Sequence, residues 1–209
     1  MRGELLKSLD PKTLSDLENY KFLIGSVIPR PIAFVTTLSK TNVLNAAPFS
    51  FFNIVTSSPP LISVSVQREK GMIKDTAQHA MDRGEFVVHI STEHYLDDMN
   101  RTARRLPPEE SEIELTTLTT VKSEKVGVPG VMEAPIRMEC LLEKAIPLGG
   151  DSESGPACDL LIGRVVQYHI QEDLYDKGRI DPVGLKPLAR LAGNDYAKLG
   201  EIFELVRGV

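Results

Sequence analysis

The sequence predicts a mainly β (α+β) fold, a β-barrel with helices packed on its outside. Three observations carry this. Segments with period-two alternation, such as PLISVSVQ and EFVVHIS, outnumber those with helical spacing. Most neighbouring strands are separated by turn-sized stretches, which favours antiparallel pairing over a doubly wound parallel sheet. The 209 residues, 42% hydrophobic and 25% charged, can bury a good core without a disulfide or metal staple, so residues 1–209 read as a single domain.

The elements follow in order. Ser15 with Glu18 forms a capping box that opens a helix over about 15–24, with Leu17, Tyr20 and Ile24 on one face and Gly25 as its stop. Arg30 lies between two prolines and is held extended, and Ile32 to Leu38 is a strand. Asn42 suits the turn that follows. The stretch NAAPFSFFN, residues 45–53, fits neither a helix, because of Pro48, nor a plain alternating strand. In PLISVSVQ one face is apolar and the other carries Ser63 and Ser65. A short helix over 75–82 stops at Gly84. The strand EFVVHIS comes next, with Thr92 capping a helix in EHYLDDMNRTARRL. The acidic stretch LPPEESEIELTTLTTVKSEKVGVPGV reads as a long excursion from the barrel. Strands recur at 135–146 and 159–170, and a helix over about 195–206, capped by Asn194, packs the stripe Leu199, Ile202, Phe203 and Val206.

Composition and missing motifs narrow the function. A net charge of −5 argues against a general nucleic-acid binder. No apolar run reaches membrane-span length and the N-terminus has no signal core, so a cytoplasmic protein is expected. Cys140 shares a face with Ile136, Met138 and Leu142 and reads as a small core residue; nothing demands a disulfide to Cys158. There is no GxGxxG and no phosphate loop ending in GK[ST]. GDSES has Ser154 where a nucleophile elbow needs glycine. His79, His89, His94 and His169 lack metal-ligand spacing, and no metal site is expected.

Three features remain, in chain order within some 30 residues. Asn45 to Asn53 has small side chains that let a ligand approach the backbone. Ser63 and Ser65 give a hydroxyl face. Lys74, Asp75 and Thr76 stand at a helix start, where free N–H groups and the dipole favour a phosphate. A planar heterocycle joined to a phosphate by a polar chain describes FMN.

VIPRPIAFVTT, NAAPFSFFN, SSPPLISVSV, KDT and RLAGNDY together resemble the flavin reductase-like family, from about Leu17 to Phe203. The resemblance implies the FMN-binding split β-barrel, a homodimer with FMN near the subunit interface, and reduction by NADH or NADPH. By position, Asn45, Ala46, Ala47, Pro48, Phe49 and Ser50 would line the isoalloxazine. Ser65, Lys74 and Thr76 would lie toward the phosphate with Arg30 nearby, and Arg190, Gly193 and Tyr196 would close the site or its interface. Phe34 stands where the family often has tryptophan, Thr41-Asn42 replaces a glycine turn, and Ala192 replaces a second glycine.

The flavin carries the chemistry in such a protein, so no catalytic acid–base pair is expected. Backbone donors beside the ring are expected to favour its reduced form. The leading reading is an NAD(P)H-dependent flavin oxidoreductase that hands electrons to a monooxygenase or another acceptor protein. The alternatives are a flavoredoxin-type carrier that does not react with NAD(P)H, and a barrel for another ligand such as haem.

Overall fold

The computed structural model describes residues 6–206; the extreme ends of the expected 1–209 domain lie outside the described residues. Helix α1, Asp16–Ser26, begins with the expected capping box. The Ser15 hydroxyl accepts the Glu18 N–H at 3.3 Å, and the Glu18 carboxylate accepts the Ser15 N–H at 2.8 Å. Gly25 does not stop it. The Val27 N–H still reaches the Leu23 carbonyl, and the chain leaves the helix ahead of Pro29. Only Ile24 of α1 is buried, so Leu17 and Tyr20 face outward instead of packing on the barrel.

Seven strands follow: β1 (Ala33–Leu38), β2 (Leu44–Phe49), β3 (Phe52–Ser57), β4 (Pro60–Gln67), β5 (Glu85–Ile90), β6 (Ile136–Leu148) and β7 (Cys158–Ile170). They form one antiparallel sheet in the order β2-β1-β5-β6-β7-β4-β3. The two edge strands, β2 and β3, are consecutive in the chain and joined only by Ser50 and Phe51. The sheet therefore curls until its edges meet, closed by a covalent link rather than a full ladder. Pro48 sits on edge strand β2, where its missing N–H costs no ladder bond. NAAPFSFFN is the seam of a split barrel.

The barrel interior is filled by Ala33, Val35, Phe52, Val64, Val66, Phe86, Val88, Cys140 and Leu161. Helix α2 (Asp75–Arg83), ended by left-handed Gly84 as expected, adds Ala77 and Ala80 to this core. Gly163 is required here, because a Cβ on it would stand 2.4 Å from Phe86 Cζ. Cys140 is a core residue, and both cysteines are free thiols.

A second apolar layer covers the outside of β1 and β2. Phe34 and Ala46 meet Tyr95, Met99, Ile113, Leu118 and Val131. The acidic excursion is thus packed along the barrel wall. Fully buried Glu139 anchors it, accepting N–H bonds from Glu124, Lys125 and Val126 at 2.8, 2.6 and 3.2 Å and bonding His169 Nε2 at 2.6 Å. The helix expected after Thr92 is shorter, a 3-10 turn at Glu93–Tyr95 and then α3, Leu96–Arg101. Thr92 makes no capping bond, and its buried Oγ1 has no partner among the described residues.

Within the segment 149–158, residues 149–157 form the β6–β7 hairpin loop and Cys158 opens β7. Asp151 Oδ1 accepts the N–H groups of Glu153 and Ser154 and the Ser154 hydroxyl, so Ser154 is spent on a turn. Its tip braces the 69–72 turn, where a Cβ on Gly71 would come within 2.9 Å of the Ser154 carbonyl.

The expected C-terminal helix is absent. Residues 198–206 have no regular structure, and Leu199, Ile202, Phe203 and Val206 are exposed. Asn194 lies in a turn that leads into the short strand Tyr196–Ala197. A short helix with Gly200 inside it needs a surface to pack on, and among the described residues this stripe covers none.

Candidate functional site

Beside the seam, β2 and the N-terminus of α2 bound a hollow with a cavity volume of about 450 Å³. Odd-numbered residues of β2 pair toward β1, so the even ones turn their backbone groups to the open edge. The 111–112 segment covers the start of that edge. Ser111 Oγ donates to the Leu44 carbonyl, and the Ala46 N–H donates to Glu112 Oε2 at 3.2 Å. Pro48 brings a carbonyl and no donor. The backbone donor expected to face a ligand at Ala46 is therefore held by Glu112, and Ala46 itself is fully buried. Half-buried Ala47, Pro48 and Phe49 remain as the wall of the hollow.

Asn45 fixes this wall to the helix. Its Nδ2 donates to Thr37 Oγ1 at 3.1 Å and Thr76 Oγ1 at 2.9 Å, all three residues being buried. Lys74 is the N-cap of α2 and makes no side-chain capping bond, so the N–H groups of the first turn have no protein acceptor among the described residues. The hollow thus ends in uncapped donors and the Lys74 ammonium.

Sequence reasoning missed the other walls. Arg104 and Arg105, from the loop after α3, add two cations to the rim. Arg105 makes a two-pronged ion pair with Glu69 on the facing turn. Glu112 forms the floor; burial pushes its carboxyl above the usual range, with the charge of Asp75 adding to the effect and the N–H donors opposing it. Nothing in EESEIEL distinguishes this glutamate from its solvated neighbours.

The remaining predicted residues are elsewhere in the protomer. Arg30 is buried, its guanidinium donating to the carbonyls of Ile24 and Val27, both at 2.7 Å, and Leu191 at 2.8 Å. It ties the C-terminal end of α1 to the 191 turn, favourable for a cation at a helix C-terminus. Arg30 and Ser50 line a second hollow with Leu23, Val27 and Phe51, about 370 Å³ in volume. The Ser65 N–H bonds the Phe51 carbonyl across the seam at 2.8 Å, and its hydroxyl accepts from Gln67. Arg190 and Tyr196 line a third hollow, the guanidinium 4.4 Å from the Tyr196 ring centre and bonded to the Gly193 carbonyl.

The histidines are structural where they are buried. His89 Nε2 accepts the Val131 N–H at 2.9 Å, so Nδ1 carries the proton and donates to the Phe34 carbonyl at 2.8 Å.

Comparison with known proteins agrees with this architecture. The chain is 62% identical to nitrilotriacetate monooxygenase component B from Bacillus cereus, with a TM-score of 0.94 over 96% of this chain and 99% of that one. It is 30% identical to the 2-nitrobenzoate 2-nitroreductase NbaA of Pseudomonas fluorescens, with a TM-score of 0.85 over 97% and 96% of the two chains. Among sequence relatives, YwrF of Bacillus subtilis is 56% identical over 93% of this chain and 95% of its own length. A solved structure with a split barrel domain from Shewanella frigidimarina shares the fold at 18% identity, with a TM-score of 0.81 over 94% of this chain and 96% of that one. The model of the flavin reductase like domain matches residues 24–188, which span the seam, both walls of the hollow and the whole seven-stranded sheet, so the chain belongs to the flavin reductase-like family.

Proposed function

We propose that the chain binds FMN in the hollow between β2 and α2 and works as an NAD(P)H-dependent flavin oxidoreductase. One observation carries this. A wall of small side chains, Ala47 and Pro48, stands at one side of a hollow that ends in an uncapped helix start flanked by Lys74, Arg104 and Arg105. Its volume lies within the range of small-molecule sites, and the donor set suits a flat ring carrying a phosphate monoester. Ala47, Pro48 and Phe49 would flank the ring. Lys74, the Thr76 hydroxyl and the first-turn N–H groups would hold the phosphate.

Bound FMN would supply the hydride and electron transfer. The protein's own part is to hold the ring against the seam, to neutralise the phosphate and to keep water from the floor. The similarity to a monooxygenase component B supports a monooxygenase as acceptor, and a cytoplasmic site of action suits two free thiols.

The active form is a homodimer in this reading. Leu17, Tyr20, Leu23, Val27 and Ile28 of the α1 region are exposed, as are Ile54 and Val55 of β3. Leu23 and Val27 border the hollow that contains Arg30 and Ser50. A partner on this face would bury those residues and bring Arg30, Ser50 and Ser65 to an interface. Arg190, Gly193 and Tyr196 would complete the assembly from the adjoining turn.

The test is an anaerobic visible spectrum of the FMN-loaded protein before and after NADH, then NADPH. Fast bleaching of the yellow band is expected and names the donor. A bound flavin that stays yellow with both would make the protein a carrier of the flavoredoxin type.

A further inference from the structure

Among the described residues, Glu112 is the one carboxyl group in the hollow that is both buried and without a paired cation. Its residue is 7% exposed, yet it lines the cavity floor. One oxygen takes the Ala46 N–H, and no Lys, Arg or His pairs with it among the described residues. Ile113 beside it packs into the second apolar layer, which holds the Glu112 backbone against the barrel wall.

Resting on the proposed FMN site, we infer that Glu112 is its proton-holding residue: it takes up one proton when the bound flavin is reduced and releases it on oxidation. Reduction by a hydride donor brings two electrons and one proton to the ring and leaves it with one more negative charge. A neighbouring carboxylate in a water-poor floor resists that charge, and it relieves the repulsion by binding a solvent proton. Two electrons and two protons then enter together, and both protons leave when the acceptor takes the electrons.

The charges around Glu112 set the direction. From α2, Asp75 favours the neutral carboxyl while Lys74 opposes it. From the loop after α3, Arg104 and Arg105 oppose it but sit exposed at the rim, with Arg105 paired to Glu69 of the facing turn. On α3 itself, Asp98 is paired with Arg101. On its own segment, Glu110 and Glu114 are exposed and solvated. A phosphate bound at the rim would neutralise the cations that oppose protonation, so loading the site strengthens the effect. Burial already biases the carboxyl toward its neutral form.

The test compares FMN-loaded wild type with E112Q, which keeps the shape and an oxygen for the Ala46 N–H. The midpoint potential is measured against pH, and oxidised-minus-reduced infrared spectra are recorded. Wild type is expected to fall by about 59 mV per pH unit across the window where Glu112 takes its proton. E112Q should fall by about 30 mV per unit there, one proton fewer per two electrons. The carbonyl band of a neutral carboxylic acid should grow on reduction in wild type and be missing in E112Q. E112D, which keeps a carboxyl, should retain the steep slope and shift the band. Equal slopes in wild type and E112Q, or no carboxyl band in wild type, would overturn the inference. Wild-type protein that binds no flavin would instead overturn the FMN site.

Discussion

Replacing Lys74 by alanine separates phosphate recognition from ring recognition. Lys74 is exposed and forms no ion pair among the described residues, so its loss leaves the fold intact. Two unit charges 4 Å apart interact by about 1 kcal/mol in water and about 4 kcal/mol at the intermediate dielectric of a partly shielded site. Lys74 stands at the open end of the hollow, which places the loss between these limits, at about 2 kcal/mol. That is about a 30-fold weaker Kd for FMN. Riboflavin lacks the phosphate and should bind wild type and K74A alike. Flavin fluorescence titration with both ligands, at low and high salt, reads the difference; the 30-fold gap should narrow as salt screens the rim. Equal weakening of FMN and riboflavin would refute the assignment, because Lys74 would then act on the ring or on the fold.

Further outcomes follow from the packing. His89 is fully buried with its pKa lowered to about 4 by burial, against about 6.5 when unfolded. Its contribution is fully present above pH 6.5 and is lost as pH falls from there toward 4, roughly 3 kcal/mol in all. Urea midpoints compared at about pH 7.5 and about pH 4.5 should show most of this loss in wild type and a flatter profile in H89Q. G163A drives a methyl into Phe86 and should cost about 1–3 kcal/mol, with recovery in the double variant G163A/F86L; a neutral G163A would contradict the packing. E139A strips the acceptor from three N–H groups and should cost about 3 kcal/mol and expose 122–128 to proteolysis, whereas unchanged protection would show that the excursion is held by its apolar contacts alone. L23D/V27D should convert the proposed dimer to monomer by sedimentation; an unchanged mass would move the interface elsewhere.

What the sequence reveals is what local rules govern. The Ser15–Glu18 box, the alternation in PLISVSVQ and the Gly84 stop all depend on neighbours within a few residues, and each is found in place. The convergence of Asn45 and Thr76 was also legible, since both lie close to turns of short reach, and a hydrogen bond joins them. Glu112 was not. Its burial comes from Ile113 and Leu118 packing on Phe34 and Ala46, contacts that span some 70 residues of chain. The C-terminal stripe misled for the opposite reason. Helical spacing predicts a helix only when a partner surface exists, and Leu199 to Val206 have none among the described residues. Arg30 shows a third case: its two terminal nitrogens bond three carbonyls that no motif announces, while its buried Nε has no partner among the described residues.

The central claim is that the hollow between β2 and α2 holds FMN. Amide hydrogen exchange of the protein with and without FMN tests it most directly. The account predicts slower exchange at Asp75, Thr76 and Ala77 and along Asn45 to Phe49 when FMN is added. Protection confined to the hollow of Arg30 and Phe51, to the hollow of Arg190 and Tyr196, or found nowhere, would contradict it.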